Sequence, residues 1–376
     1  MANILVISFS PLARDPRVTR QVIELAKCHK VTVAGFGRIR ADSHRNIDLS
    51  FSRRSLVEKI QDGRRMALGA HEAVIWSRPY MEQLMRQVSK SSYDLVVAND
   101  VNALPAAYAI SQERCPVLLD AHEYTPDEVP RVGASNALLH RHNNWLCKTY
   151  LPLASGSMTV SQPIADKYMV EFGISQPIVI PNAAPYAALE PGAVNPRRIR
   201  LLYHGIVAPA RGLRILLKAI ERLPKHFELT LMLMGQGRQI QTLKKTSKGD
   251  GRVEYVDPVK TYAIPRVVNA YDIGVYALQP ATFNERSALP NKFFENVQAR
   301  VGQLVTPTSE MSRLVRDHNI GLVSEGFDAA SIASALGGLT SDQISQFKAE
   351  AHRSARELSW ENFAHRLHQL IQEHLP

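Results

Sequence analysis

Cysteine is scarce in this chain. Cys28, Cys115 and Cys147 are odd in number, far apart and outside any paired spacing, which excludes a disulfide framework and a cysteine-based metal finger. They read as buried or idle thiols in a reducing compartment, with nucleophilic catalysis by one of them a minor reading. Long hydrophobic runs are missing too. No stretch approaches the roughly 20 apolar residues of a membrane-spanning helix. The opening MANILVISFSPLARDP has no basic leader before its short apolar run, so neither a membrane span nor a signal peptide is expected, and the expected location is cytoplasmic. There is no Gly/Ser-rich, Gln-rich or single-charge tract and no repeat with a period of about 20 to 50 residues, which sets aside extended disorder, solenoids and propellers.

What is present is an ordinary apolar fraction, 45%, with 21% charged residues, spread over 376 positions. At a prior of roughly 150 residues per domain, that length predicts two hydrophobic cores. Charge is lopsided: 45 basic against 35 acidic residues give a net +10, which invites anionic partners. Residues 38–90 hold 11 Lys/Arg against 6 Asp/Glu. Within them Arg53, Arg54, Lys59, Arg64 and Arg65 mix with Leu56, Ile60, Met66 and Leu68 as on an amphipathic surface helix. Two readings of residues 53–68 stand side by side: peripheral contact with the anionic inner face of a membrane, and a solvated helical face. Few aromatic residues lie there and no nucleic-acid module is recognisable, so nucleic acid is not the expected partner.

The apolar run 4–7 predicts a buried strand, and Asp15-Pro16 supplies an N-cap followed by proline at the first helical position. Val18, Val22, Leu25 and Ala26 continue at helical spacing. Residues 31–34, 95–98, 117–119 and 158–160 predict further strands, separated by helical stretches such as 104–110 and 164–172. After the loop 181–196, rich in Pro and Ala, a second series predicts strands at 200–204, 228–234, 253–256, 273–276 and 303–306, with helices at 213–223, 262–270, 291–299 and 311–316. Alternating strands and helices predict parallel sheets covered on both faces. The expected organisation is two doubly wound α/β domains, residues 1–183 and 197–357. The stretch 342–375 is helical in pattern, with Phe363, Leu367, Leu370 and Ile371 on one face, and residues 358–376 are expected to pack back on the first domain. Ligands of such sheets bind beyond the C-terminal ends of the strands.

Three loops at such ends carry chemistry. In ALQPATFNERSALPNKFFENVQARVGQ, Pro290 followed by Asn291 and Lys292 reads as a helix start whose free backbone N–H groups suit an anion. Lys292 stands where the helix dipole disfavours a cation, so a bound phosphate explains it better than helix stability does. Glu295, one turn on, is placed to accept from two neighbouring ribose hydroxyls. In YHGIVAPARGL, Gly205 permits close approach of a ligand, and Arg211, before Gly212, offers a planar fork of donors suited to phosphate. In DAHEY, Asp120, His122 and Glu123 follow a buried strand, a histidine between carboxylates that suits proton transfer. The turn Met234-Gly235-Gln236-Gly237 holds a GxG pair without the rest of a dinucleotide fingerprint and decides nothing alone. Each loop also has a plainer reading: a capped helix with surface charges, a solvated arginine, a structural histidine.

Taken in order, ARDPRVTRQVIELAK, YDLVVANDVNALPAA, DAHEY, VIPNA, GIVAPARGL, LMGQG, ALPNKFFENVQARVGQLV and the terminal LSWENFAHRL resemble the retaining GT-B glycosyltransferases of family 4. That group, glycosyl transferases group 1, includes bacterial polysaccharide and lipopolysaccharide sugar transferases, and the resemblance spans nearly the whole chain. It implies two Rossmann-like domains facing a central cleft. It implies transfer of a sugar from a nucleotide-diphosphate sugar, UDP- or GDP-linked before others, to a hydroxyl of a glycan, glycolipid or other small acceptor. Retention of configuration, with neither metal nor other cofactor, is implied as well.

The resemblance also implies roles. His122 would sit beside the transferred sugar, Arg211 and Lys292 would neutralise the diphosphate, and Glu295 would hold the ribose. Backbone from Tyr255 to Val259 would frame the base, and Gly205, Gly212, Gly235, Ser287, Ala288 and Asn291 would complete the donor side. Three positions depart from the family pattern. Ser287 stands where a glutamate is usual eight residues before Glu295, and Ile206 stands where an arginine follows the glycine, leaving the diphosphate charge to Arg211 and Lys292. SPLARDPR replaces a glycine-rich first loop, and Arg14 and Arg17 there, with Glu123, are candidates for the acceptor side. Two rival classes remain: a nucleotide-sugar epimerase or hydrolase on the same fold, and a non-enzymatic basic protein that binds anions or nucleic acid.

Overall fold

Seven parallel strands form the first sheet among the described residues, the central ones buried apolar runs bounded by turn residues. They are β1 (Asn3–Pro11), β2 (Lys30–Phe36), β3 (His44–Leu49), β4 (Leu95–Asn99), β5 (Val117–Ala121), β6 (Gly156–Thr159) and β7 (Ile178–Val179). Their order is β3-β2-β1-β4-β5-β6-β7, parallel throughout. The central strands β1, β4 and β5 are covered on both faces, with Ile4 to Ile7 and Leu95 to Ala98 fully buried. The structure, a computed structural model, describes residues 1–40, 44–88, 92–130, 132–235, 237–247 and 251–375.

The second sheet has six parallel strands: β8 (Ile199–Ile206), β9 (Phe227–Met234), β10 (Val253–Val256), β11 (Ile273–Tyr276), β12 (Gly302–Val305) and β13 (Gly321–Val323). Their order is β10-β9-β8-β11-β12-β13. The chain forms two structural units, one made of Met1–Pro181 with Ala364–Pro376 and the other of Asn182–Phe363. The loop 181–196 therefore falls almost wholly in the second unit. Asn269 Nδ2 donates to Glu190 O, and Arg300, fully buried, donates to Ala187 O.

In each sheet the winding reverses once, between β1 and β4 and between β8 and β11. At such a point neighbouring loops leave in opposite directions and open a crevice at the C-terminal edge. The first helix begins as its sequence predicts: Asp15 caps it by accepting from the Val18 amide, with Pro16 at the first position. At the other end of the chain the stretch expected to be helical throughout is two helices, Ser341–Ser354 and Trp360–His374. Leu367, Leu370 and Ile371 of the second are buried. Its residues from Ala364 on belong to the first unit, and Trp360–Phe363 to the second.

Candidate functional site

In the second unit the crevice at β8/β11 gathers two cations. The helix Asn291–Gln298 starts directly after Pro290, and no side chain caps it. Its second residue, Lys292, lies between two tyrosine rings from the adjacent strands. Nζ is 4.6 Å from the centroid of Tyr203 and 4.7 Å from that of Tyr276. The rings are nearly parallel, at 8° with centroids 6.4 Å apart. Lys292 Nζ also donates to Tyr203 Oη at 3.3 Å. Arg211, on the short turn Pro209–Arg211, donates through a terminal guanidinium nitrogen to Tyr276 Oη, while its Nε is buried without a partner among the described residues. Neither cation makes an ion pair with a described residue. Burial and the neighbouring guanidinium of Arg211 together pull the Lys292 ammonium down to about 7.

The glycines of this site are explained by what their missing side chains would strike. A Cβ on Gly205, where φ is +132°, would lie 2.5 Å from Lys292 Nζ. A Cβ on Gly212, at φ +64°, would lie 1.9 Å from the Ala277 carbonyl oxygen, so the Arg211 turn can close against β11 only with glycine there. Gly235, at φ +155°, would place one 3.5 Å from Val207. Gln236 beside it lies outside the described residues. Ile206, at the position where the family pattern has an arginine, is 47% exposed. Ser287 is buried and Ala288 partly buried just before the helix, and Asn291 is partly buried at its start.

Glu295 is largely buried one turn along, and its carboxylate stands 3.6 Å from His204 Nδ1. The other ring nitrogen of His204, Nε2, is hydrogen-bonded to Asn296 Oδ1 at 3.1 Å. Burial, reinforced by Lys292, holds this imidazole down at about 4, so it is neutral near pH 7 and leaves Glu295 without a formal positive charge from that side. Tyr255 and Val259 lie at and after the end of β10, two strands from the crevice. The Tyr255 hydroxyl is 2.8 Å from Ser247 Oγ, so its ring is engaged within the unit while the backbone that follows stays at the sheet's C-terminal edge.

In the first unit the crevice at β1/β4 holds a connected polar network. His122 follows β5, its Nε2 3.0 Å from Asn99 Oδ1 and its backbone N–H donating to Asp100 Oδ1 at 3.0 Å. Asn99 Nδ2 donates to Gln21 Oε1 at 3.0 Å, and Gln21 Nε2 to Asp120 Oδ2 at 2.9 Å. Asp120 is paired with Arg17, whose Nε reaches both carboxylate oxygens at 3.0 Å and whose NH2 stands at 2.5 Å from Oδ1. Asp100 has φ +66°, a strained backbone for a residue with a Cβ. Burial pushes its carboxyl up, and His122 pulls it partly back.

Arg17 is the clear correction. Expected to face the acceptor side, it is 5% exposed, held by Asp120 and donating to Ile180 O at 2.7 Å. The helix that starts at Pro16 turns it inward, where a buried aspartate needs a cation. Arg14 and Glu123 are exposed near the same edge. The loop carrying Arg14 is tied down by Ser10 Oγ, which donates to Asp15 Oδ2 at 2.7 Å.

Sequence reasoning missed Tyr203, Tyr276, His204, Gln21 and Asn99. Each looks like an ordinary strand or helix residue, and only the pairing of β8 with β11, or of β4 with β5 beside the first helix, brings it to the site.

Comparisons with known proteins bear on the family and the fold. A family model described as Glycosyltransferase Family 4 matches residues 17–185, and one described as Glycosyl transferases group 1 matches residues 198–342. Among solved structures, a sucrose-phosphate synthase from Thermosynechococcus elongatus is similar at a TM-score of 0.79 and 15% identity, covering 99% of each chain. Anabaena HepE in complex with UDP-glucose is similar at 0.73 and 14%, over 99% of this chain and 100% of that one. WaaG, a glycosyltransferase involved in lipopolysaccharide biosynthesis, is similar at 0.66 and 13%, over 98% and 99%. At such identities the likeness establishes the fold, which is GT-B. No curated protein matches the chain in sequence.

Proposed function

The chain belongs to the group 1 and family 4 glycosyltransferases, and from that premise we propose that it transfers a sugar from a nucleotide-diphosphate sugar to an acceptor hydroxyl, with retention of configuration. The observation that carries the donor class is the pair Arg211 and Lys292: two neighbouring cations supported by tyrosines, neither in an ion pair with a described residue. Like charges held together are unfavourable alone, and an anion placed against both, with the uncapped helix start behind it, makes the arrangement favourable. A diphosphate has that charge and size.

As the glycosidic bond to the diphosphate breaks, negative charge grows on the phosphate oxygens. Fixed donors there stabilise the transition state more than the ground state. Arg211 supplies directed N–H donors, including its unpartnered Nε, and Lys292 a charge held over Gly205. Glu295 is assigned to the ribose hydroxyls and the Tyr255 to Val259 backbone to the base. On the first unit, His122 is assigned to the sugar and Arg14 and Glu123 to the acceptor. Arg17 is a positioning residue that holds Asp120. UDP-linked donors are favoured, since HepE is a structural relative seen with UDP-glucose, and the acceptor is assigned to the glycan or lipid-linked class on the likeness to WaaG.

A thermal-shift screen across UDP-, GDP- and dTDP-sugars tests the donor class. A ligand at 100 times its dissociation constant stabilises by about 2.7 kcal/mol. A flat response to all three groups rejects the proposal. Incubation with nucleotide sugar alone tests the rivals: an epimer or rapid release of free nucleotide without acceptor points to an epimerase or hydrolase instead.

A further inference from the structure

The helix Leu56–Ala67 reverses the usual arrangement of a surface helix, which buries an apolar stripe and shows its charges. Here the buried residues are Asp62 and Met66, whereas Leu56, Val57 and Ile60 are 74%, 64% and 56% exposed and Leu68, just past the last turn, is 84% exposed. At about 100° per residue, Leu56, Ala67, Ile60, Arg64, Val57 and Leu68 fall within one arc of about 120°. The exposed apolar side chains therefore form a single outward stripe.

Two features fix the helix in that orientation. Ser55 caps its first turn, and Glu58 accepts from the Ser55 amide at 2.8 Å to complete a capping box. On the inward side Asp62 is held by Arg54 at 2.6 Å and Arg78 at 2.9 Å, with Arg65 at 3.7 Å. Turning the apolar stripe inward would pull a buried carboxylate off its cations, which is strongly unfavourable. Phe51, five residues before the helix, is exposed as well, its ring 5.2 Å from Phe36. Arg53, Lys59 and Arg64 are exposed around and within the stripe, and none makes an ion pair with a described residue.

We propose that this face docks the protein on an anionic lipid bilayer, the helix lying in the headgroup plane. Leu56, Val57, Ile60 and Leu68 enter the interface, and Arg53, Lys59 and Arg64 meet lipid phosphates. Charge selects this occupant over a second copy of the chain. A twofold contact would set the patch against itself and bring its three unpaired cations together. The helix is 12 residues long, too short to span a bilayer, and no described helix is long and apolar enough to do so. It lies on the surface. The proposal does not depend on the donor reading.

The test is co-sedimentation of the full chain with vesicles of phosphatidylcholine, alone or mixed with phosphatidylglycerol. Three forms are compared: wild type, L56S/I60S/L68S, and R53E/K59E/R64E. All six positions are exposed, and circular dichroism with the nucleotide-sugar thermal shift confirms that each variant is folded. Wild type should bind the anionic vesicles and leave them as salt is added. Each lost cation near an anionic surface is worth about a fivefold change in partitioning, so the charge variant should lose about a hundredfold or more. The apolar variant should lose at least about tenfold. No binding to anionic vesicles, or equal binding by all three forms, overturns the proposal. So does a wild-type dimer that the apolar variant converts to monomer, or duplex DNA that binds wild type in preference to the vesicles. A failed thermal shift with intact vesicle binding would count against the donor reading alone.

Discussion

The two units treat charge in opposite ways at the same topological place, the C-terminal edge of a parallel sheet where its winding reverses. In the first, every charge deep in the network has a partner: Arg17 with Asp120, and Asp120 with Gln21, which reaches His122 through Asn99. In the second, Arg211 and Lys292 lean on tyrosines and form no ion pair with a described residue, Glu295 acting on Lys292 only as a more distant charge. The contrast teaches that a satisfied network holds a side chain in place, whereas a pair of like charges held together specifies the sign and size of the ligand it suits. The first unit carries structure up to His122, and the second carries positive charge that the donor proposal assigns to an anion.

The largest expected effect separates those two roles on stability. Arg17→Met strands Asp120, whose side chain is 2% exposed, and breaking one partner from a buried pair costs about 3 to 5 kcal/mol. Urea unfolding should show that loss in the first unit's transition. Lys292→Met removes a cation from beside Arg211 and should leave the ligand-free protein as stable as wild type or more so. Equal losses in the two variants would erase the contrast. Activity should answer in the reverse direction. Arg211→Ala and Lys292→Met should each lower kcat/KM about a hundredfold, which is about 2.7 kcal/mol of transition-state stabilisation. Rates within about threefold of wild type in both would remove the diphosphate from this site.

A smaller effect comes from pH. The free protein holds Lys292 at about 7, far below the ordinary lysine value of about 10.4. The folded state therefore binds fewer protons than the unfolded state between those values. The destabilisation this residue carries is fully present below about pH 7 and is relieved as pH rises toward the unfolded value. A diphosphate restores the charge and raises the lysine's pKa, so donor binding takes up a proton above about pH 7. Affinity for UDP-glucose, whose phosphates do not titrate there, should fall by up to about tenfold per pH unit above that point. Calorimetry in buffers of different ionisation enthalpy should register the proton, and Lys292→Met should lose both the uptake and the slope. A slope unchanged in that variant would assign the titration elsewhere.

These sites are legible in the sequence to the extent that their signals are local. The N-cap at Asp15, the helix start at Asn291, and strands β10 and β11 can be read from consecutive residues, because capping and short apolar runs act over one turn or one strand. The edge strands β3 and β13 give no such signal. HRNIDL is polar at four of its six positions and GLV is three residues long, as edges facing solvent permit. The helix Ala134–Tyr150, with its histidines and asparagines, gives weak periodicity for a similar reason. Arg17 looks like a surface residue from its neighbours alone, because its partner lies 103 positions away. Tyr203 and Tyr276 carry no local sign of a lysine cage, which exists only once β8 pairs with β11.

The smallest expected effect probes how closely that cage is built. Gly205 has no side chain where a Cβ would press on Lys292 Nζ at 2.5 Å and Cε at 3.0 Å. The obstacle is the far end of a flexible chain, so Gly205→Ala should displace the ammonium and leave the sheet intact. At its φ of +132° an alanine adds backbone strain of about 1 kcal/mol. The expected result is a melting temperature lowered by a few degrees, as about 1 kcal/mol implies for a unit of this size, together with about fivefold weaker binding of UDP-glucose. The paired variant G205A/K292M decides the cause. If the glycine matters by giving Lys292 its place, adding Ala to the Met background should change affinity no further. A second loss of about fivefold there would mean that the ligand itself approaches the Gly205 backbone.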